Sequence, residues 1–138
     1  VAVKRLFSVV VKNDEELRGG RVHIVTSACH VRRSVALAKQ FPNVKFMAYT
    51  KKYDLVNKYL DDGGKLPDNF NIFFSAWDVL WEVPNPHGLP VAYVKFKEER
   101  FTPEIPKYAF HCPGRETNCS SCGVCWNKKV KAVYFDEH

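Results

Sequence analysis

The sequence predicts an α/β fold: a mainly parallel β-α-β core, half-barrel-like or an open sheet, with a C-terminal cysteine-rich metal-binding loop. Three observations carry this. Runs rich in β-branched and aromatic residues alternate with helical patterns through the first half of the chain. Their starts lie roughly two dozen residues apart with a helix between, the spacing of crossover units that favour parallel pairing. Four of the five cysteines fall between Cys112 and Cys125. The 138 residues, 46 % of them hydrophobic, suit a single domain over residues 1–138 with one core.

Arg5 to Lys12 and Arg21 to Ser27 read as strands, separated by a polar break and Gly19-Gly20. From His30 to Phe41 the apolar positions Val31, Val35, Ala38 and Phe41 recur at three- and four-residue intervals, an amphipathic helix that Pro42 stops. Val44 to Thr50 is the next strand. Tyr53, Leu55, Val56, Tyr59 and Leu60 form a second short helix closed by Gly63-Gly64. Asn71 to Trp77 returns to strand character. Asp78 to Pro90 holds Pro84, Pro86, Gly88 and Pro90 and reads as an irregular excursion. A strand over Val91 to Lys97, a connection through Pro103 and Pro106, and a short run from Tyr108 to His111 lead into Cys112. Val130 to Phe135 closes the chain as an alternating strand. The segment from Asp78 to Pro113 is therefore expected to have little secondary structure of its own and to depend on the cysteine loop for order.

The cysteines are spaced Cys112-x6-Cys119-x2-Cys122-x2-Cys125 and read as one metal-binding loop, residues 112–125. Two-residue spacers let successive thiolates from one turning segment face a single centre, and Pro113, Gly114, Asn118, Ser120, Ser121 and Gly123 suit such turns. Structural zinc sites usually draw on two separated pairs, and no second pair is present. Three cysteines at x2-x2 match the opening of the ferredoxin run for a 4Fe-4S cube, with Cys112 preceding the run as fourth ligand. A 4Fe-4S cluster is the favoured cofactor, and zinc is the alternative. Disulfides fit least: five cysteines is an odd number, and no secretory segment is expected at the start of the chain.

Twenty-one Lys and Arg against fifteen Asp and Glu give +6. Four thiolates around a core of charge +2 add about −2, leaving about +4. This balance permits an acidic partner without requiring one. No apolar run approaches the length of a membrane span, so no membrane association is expected.

Parallel sheets gather ligands beyond the carboxyl ends of their strands. The residues leaving those ends are Thr26 to His30, then Thr50 and Lys51, then Ser75 and Asp78, and finally His111-Cys112. Thr50, Lys51, Ser75 and Asp78 are candidate catalytic residues, though hydroxyls and carboxylates at such positions often cap the next helix. Cys29-His30 could add a ligand or a redox thiol, but a lone cysteine is more often a small buried hydrophobe. His23 is expected to be outward or satisfied, and His138 to be terminal and disordered. Trp126 follows the last cysteine and Lys128, Lys129 and Lys131 come next, a candidate contact with a nucleic-acid backbone or an acidic protein. The ordinary reading is a tryptophan shielding the metal and lysines guarding an exposed strand edge.

The succession AYTK at Ala48 to Lys51, LPDNF at Leu66 to Phe70, LPVAYV at Leu89 to Val94, CPG with C-x2-C-x2-CW at Cys112 to Trp126, and V-x-F-x-x-H at Val133 to His138 resembles the phage and prophage proteins called gene product eighty-eight. The resemblance covers about residues 21–138. It implies a phage-associated, cysteine-rich α/β protein of unassigned activity acting in the cytoplasm of a bacterial host. Longer members carry a second cysteine cluster near their amino terminus and a His-x-Ser-Gly-Asp motif. Here the corresponding stretch reads His23-Ile-Val-Thr-Ser-Ala, with no Gly-Asp. The x3-x2 cysteine spacing of radical S-adenosylmethionine enzymes is also absent, and four protein thiols would leave no open iron for the cosubstrate.

Two functions are carried forward. The first is a phage-type iron-sulfur protein whose cluster is structural or redox-sensing and whose work is binding a host or phage macromolecule. The second is a cluster-dependent redox enzyme or electron-transfer protein, or a zinc-stabilised nucleic-acid-binding protein.

Overall fold

The computed structural model describes residues 21–23, 31–79, 82–114 and 116–137. Of Arg21–His23 and Ser120 only the backbone is described. The expected strand over Arg5 to Lys12, the exit Thr26 to His30 with Cys29, the side chain of His23, and His138 lie outside the described residues. The elements in order are β1 (Arg21–His23), α1 (Val31–Gln40), β2 (Lys45–Thr50), α2 (Tyr53–Asp61), β3 (Phe70–Ala76), β4 (Val91–Lys95), a 3-10 turn (Glu99–Phe101), β5 (Phe110–His111), one helical turn (Cys119–Cys122), a second 3-10 turn (Val124–Trp126) and β6 (Ala132–Asp136).

Helix α1 forms where the sequence repeats apolar residues at helical intervals, and it buries Ser34, Val35, Leu37 and Ala38. Pro42 cannot continue it. The carbonyls left at its end are not wasted: the Asn69 side-chain amide donates to the Ala38, Phe41 and Val44 oxygens at 2.8, 2.9 and 2.8 Å. One side chain thus ties the end of α1 to the starts of β2 and β3. Helix α2 buries Tyr53, Val56 and Asn57 and ends at Asp61, two residues before Gly63, whose φ of 91° is a conformation glycine adopts without strain. The Gly64 N–H then donates to the Tyr59 carbonyl at 2.9 Å.

Among the described residues six strands form one sheet in the order β1-β2-β3-β4-β6-β5, and every neighbouring pair is parallel. Strands covered on both faces read as nearly continuous apolar runs, which accounts for Phe70–Ala76. On one face Phe46, Ala48, Phe70, Ile72 and Phe74 pack against Leu37 and Ala38 of α1 and Tyr53 and Val56 of α2. On the other, Phe73, Ala92 and Val133 pack with Tyr49, Val124, Cys125, Val130 and Phe135. The cysteine loop therefore occupies the layer that a helix fills elsewhere in such folds.

Topology places it there. Strand β6 lies between β4 and β5, parallel to both, so the chain leaving the carboxyl end of β5 must travel back to the amino end of β6. Residues 112–131 make that return across the second face. Among the described residues β1 and β5 are the ends of the strand order. Three strand spacings separate β2 from β6, about 14 Å on a flat sheet. The Tyr49 and Phe135 rings nonetheless meet edge to face with centroids 5.8 Å apart.

Three expectations change. The strand from Val91 ends at Lys95, not Lys97, because the Thr102 hydroxyl takes the Phe96 N–H at 3.0 Å and turns the chain out of the sheet. The segment after Asp78 is not without structure of its own, since β4 is bonded to β3 and β6. Strand β6 is interior, so the lysines before it do not guard a sheet edge.

Candidate metal centre

All four clustered cysteines line one small cavity of about 60 Å³ between the loop and the second face of the sheet. Tyr49, Phe110, Val133 and Phe135 form its floor, and Trp126 borders it. Cys112 follows β5 directly, and its N–H donates to the Tyr134 carbonyl at 2.8 Å, extending the ladder by one bond. Cys119 and Cys122 begin and end the single helical turn. Asn118 caps that turn, its side-chain oxygen accepting the Ser121 N–H at 2.9 Å. Gly123, at φ 64°, reverses the chain in the left-handed region and aims Cys125 back toward the other three.

Cys125 is the cysteine the sheet holds most firmly. The Tyr49 hydroxyl donates to its sulfur at 2.9 Å. The side-chain amide of Asn71, buried in β3, donates to the Cys125 and Asn127 carbonyls at 3.0 and 3.1 Å. Burial pushes the Cys125 thiol pKa up; the Tyr49 hydrogen bond lowers it, and repulsion from Cys112, Cys119 and Cys122 raises it again. Burial likewise raises the Tyr49 hydroxyl, reinforced by its bond to Cys125 and by the charges of Cys125, Cys112 and Cys119. The four sulfurs thus share one electrostatic neighbourhood. Four thiolates there repel one another unless a cationic core lies among them.

The thiols surround the cavity rather than closing on one point: among the described residues no three His, Cys, Asp or Glu side chains converge closely enough to hold a single metal ion. Beside them His111 stacks on Tyr134 with ring centroids 4.5 Å apart, and its Nε2 lies 2.6 Å from the Asp136 carboxylate.

The strand-end candidates are brought to one end of the sheet but into ordinary contacts. The buried Thr50 hydroxyl accepts the Lys52 N–H at 3.0 Å, a local turn bond. Lys51 Nζ lies 4.2 Å from the centre of the Trp77 ring. The Ser75 carbonyl accepts from the Tyr53 hydroxyl, and the half-buried Asp78 has contacts of its own. None of the four lines the cysteine cavity. Trp126 borders the cavity and, together with Lys128 and Lys129, lines a separate groove, whereas Lys131 faces a different depression beside Tyr93 and Tyr108.

Tyr49 and Asn71 were not singled out by the sequence reading. A signal exists for each: an amide inside the apolar run Phe70–Ala76 and a tyrosine on an inward strand position both need a polar partner.

Among the described residues no helix is long and apolar enough to cross a membrane. No curated protein and no solved structure matches the chain. A family model, described as gene product 88, matches residues 25–128, a span that includes both helices, strands β2 to β5 and all four clustered cysteines. The chain belongs to the gene product 88 family.

Proposed function

We propose that this is an iron-sulfur protein in which Cys112, Cys119, Cys122 and Cys125 hold one 4Fe-4S cluster, and that the cluster is structural or redox-sensing in a phage protein that binds a macromolecule of its bacterial host or of the phage. The cavity carries the reading. A single water needs about 10–15 Å³ of such space, so about 60 Å³ lined by four thiols and apolar side chains suits a core of several atoms better than one ion. The donor set fits: four thiolates complete the iron ligands of a cube, and Tyr49, Val133 and Phe135 cover its sheet side while Cys119 faces solvent. Bound there, the cluster would supply a one-electron couple and a cross-link between β5, the loop and the sheet. The protein's own share is to orient Cys125 through Tyr49 and Asn71 and to close the site with Phe110, Val133 and Phe135.

Anaerobically purified protein should be brown, absorb near about 400 nm and hold about four irons with matching sulfide per chain. A colourless protein with one zinc per chain would replace this reading by the zinc-stabilised one.

A further inference from the structure

We infer that the groove between the cysteine loop and the end of α1 binds the backbone of single-stranded nucleic acid, with Lys39, Lys45, Lys128 and Lys129 on its phosphates and Trp126 as a stacking face. The groove is open, about 1070 Å³, and lies at the amino ends of β2 and β3, away from the strand ends carrying Thr50 and Ser75. Lys39 comes from the last turn of α1, Lys45 opens β2, and Lys128 and Lys129 follow the turn Val124–Trp126. Asp68 is the one acid among the lining residues. All four lysines are exposed, and among the described residues none has a carboxylate within salt-bridge distance, though burial lowers the Lys128 pKa and the charge of Asp68 partly offsets this. A polyanion would therefore meet Lys39, Lys45 and Lys129 unopposed and share only Lys128 with Asp68.

The groove is also preformed. Asn69 fixes one wall by its three bonds to carbonyls of residues 38, 41 and 44, and Asn71 fixes the other through the Cys125 and Asn127 carbonyls. Little ordering is left to offset binding. The half-buried Trp126 puts an aromatic surface beside the cations, the combination that holds unpaired bases and their backbone together. An acidic peptide would use the lysines and leave the ring unused; a duplex would keep its bases away from it.

This deepens the macromolecule-binding reading above and rests on it. The test is fluorescence anisotropy of cluster-loaded full chain with labelled oligothymidylate, an abasic strand and a duplex of the same length, and polyglutamate, across a salt series. Oligothymidylate should bind about tenfold tighter than the other three, which one stacked base can supply. Lys39→Ala with Lys45→Ala should weaken it about tenfold at low salt and flatten the salt slope by about 1.4, two phosphates at about 0.7 each. Neither lysine lies in the cysteine loop, so the double variant should keep the absorbance of the wild type. No binding by the wild type, equal binding of polyglutamate, abasic strand or duplex, or an unchanged slope in the double variant would each overturn the inference. Wild-type protein that binds in this pattern but shows no iron-sulfur absorbance would reject the cluster and support the groove.

Discussion

The Tyr49 hydroxyl, on β2, donates to the sulfur of Cys125, 76 positions later in the chain, at 2.9 Å. An O–H bond to a ligand sulfur draws electron density from it and favours the reduced cluster. Tyr49→Phe keeps the ring contacts with Phe73 and Phe135 and deletes only that donor. We expect it to keep its cluster, to lose about 1 kcal/mol of stability in urea, and to have a lower reduction potential than wild type. A potential that does not move would show that the bond is structural alone.

Changing each clustered cysteine to serine separates ligand from bystander. Cys112→Ser, Cys119→Ser, Cys122→Ser and Cys125→Ser should each lose or destabilise the metal, because all four thiols face one cavity. Cys29→Ser should leave it intact. Iron and sulfide analysis reads both, and loss of metal from Cys29→Ser would mean that the segment after β1 also reaches the centre.

The local part of this fold was legible in the sequence, and the long-range part was not. Helix α2 was expected over Tyr53 to Leu60 and ends one residue later, and β2 was expected over Val44 to Thr50 and starts one residue later. Both are set by periodicity and by breakers such as Pro42 and Gly63, which act over a few residues. The insertion of β6 between β4 and β5 depends on pairings that no local pattern encodes, and it is what carries the cysteines across the sheet. The four cysteines that line one cavity could be grouped from spacing alone, whereas the groove joining Lys39 and Lys45 to Trp126 needed the fold. At the strand ends the Thr50 side chain closes a local turn, Lys51 stacks over Trp77, and Ser75 contributes its carbonyl to Tyr53.

Asn71 tests whether the loop is pinned from below. In Asn71→Asp the shape is kept but an oxygen faces the Cys125 and Asn127 carbonyls in place of the amide. Two hydrogen bonds are lost and an acceptor is buried against acceptors, so we expect about 3 kcal/mol of destabilisation and faster loss of metal. If urea melts of the variant and wild type coincide, the loop is held by its metal alone.

Tyr53 supplies a pH prediction. It is buried at 4 % exposure, its hydroxyl donates to the Ser75 carbonyl, and burial raises its pKa above the usual 10.0. The unfolded chain therefore gives up this proton first as pH rises, so the contribution is present below pH 10 and is lost above it. Tyr53→Phe should be less stable than wild type by about 1 kcal/mol at neutral pH, and the gap should narrow above pH 10. Burial also raises Tyr93, so the alkaline decline should flatten without vanishing. A gap that is constant with pH would place the Tyr53 pKa at its ordinary value.

Removal of the metal should loosen the fold unevenly, with a boundary set by strand pairing. The sequence predicts that Asp78 to Pro113 depends on the cysteine loop for order, so that the segment from about Val91 to His138 loosens without the metal. Strand β4, however, is bonded along its length to β6 and at its start to β3, and Ala92 is buried between Phe73 and Val133. Strand β5 has only two residues and among the described residues pairs only with β6, and the loop that follows has one helical turn and one 3-10 turn. Those elements have too few hydrogen bonds to stay ordered without a cross-link, and metal binding of this kind contributes directly to folding, by about 10 kcal/mol for structural zinc. Hydrogen exchange on holo and apo protein should therefore show protection lost from residues 110–127, reduced in β6, and kept in β2, β3 and their two helices, with β4 nearer the kept group. Equal protection of the loop in both forms would make the centre dispensable for folding, leaving redox chemistry as the better reason to hold four cysteines around one cavity.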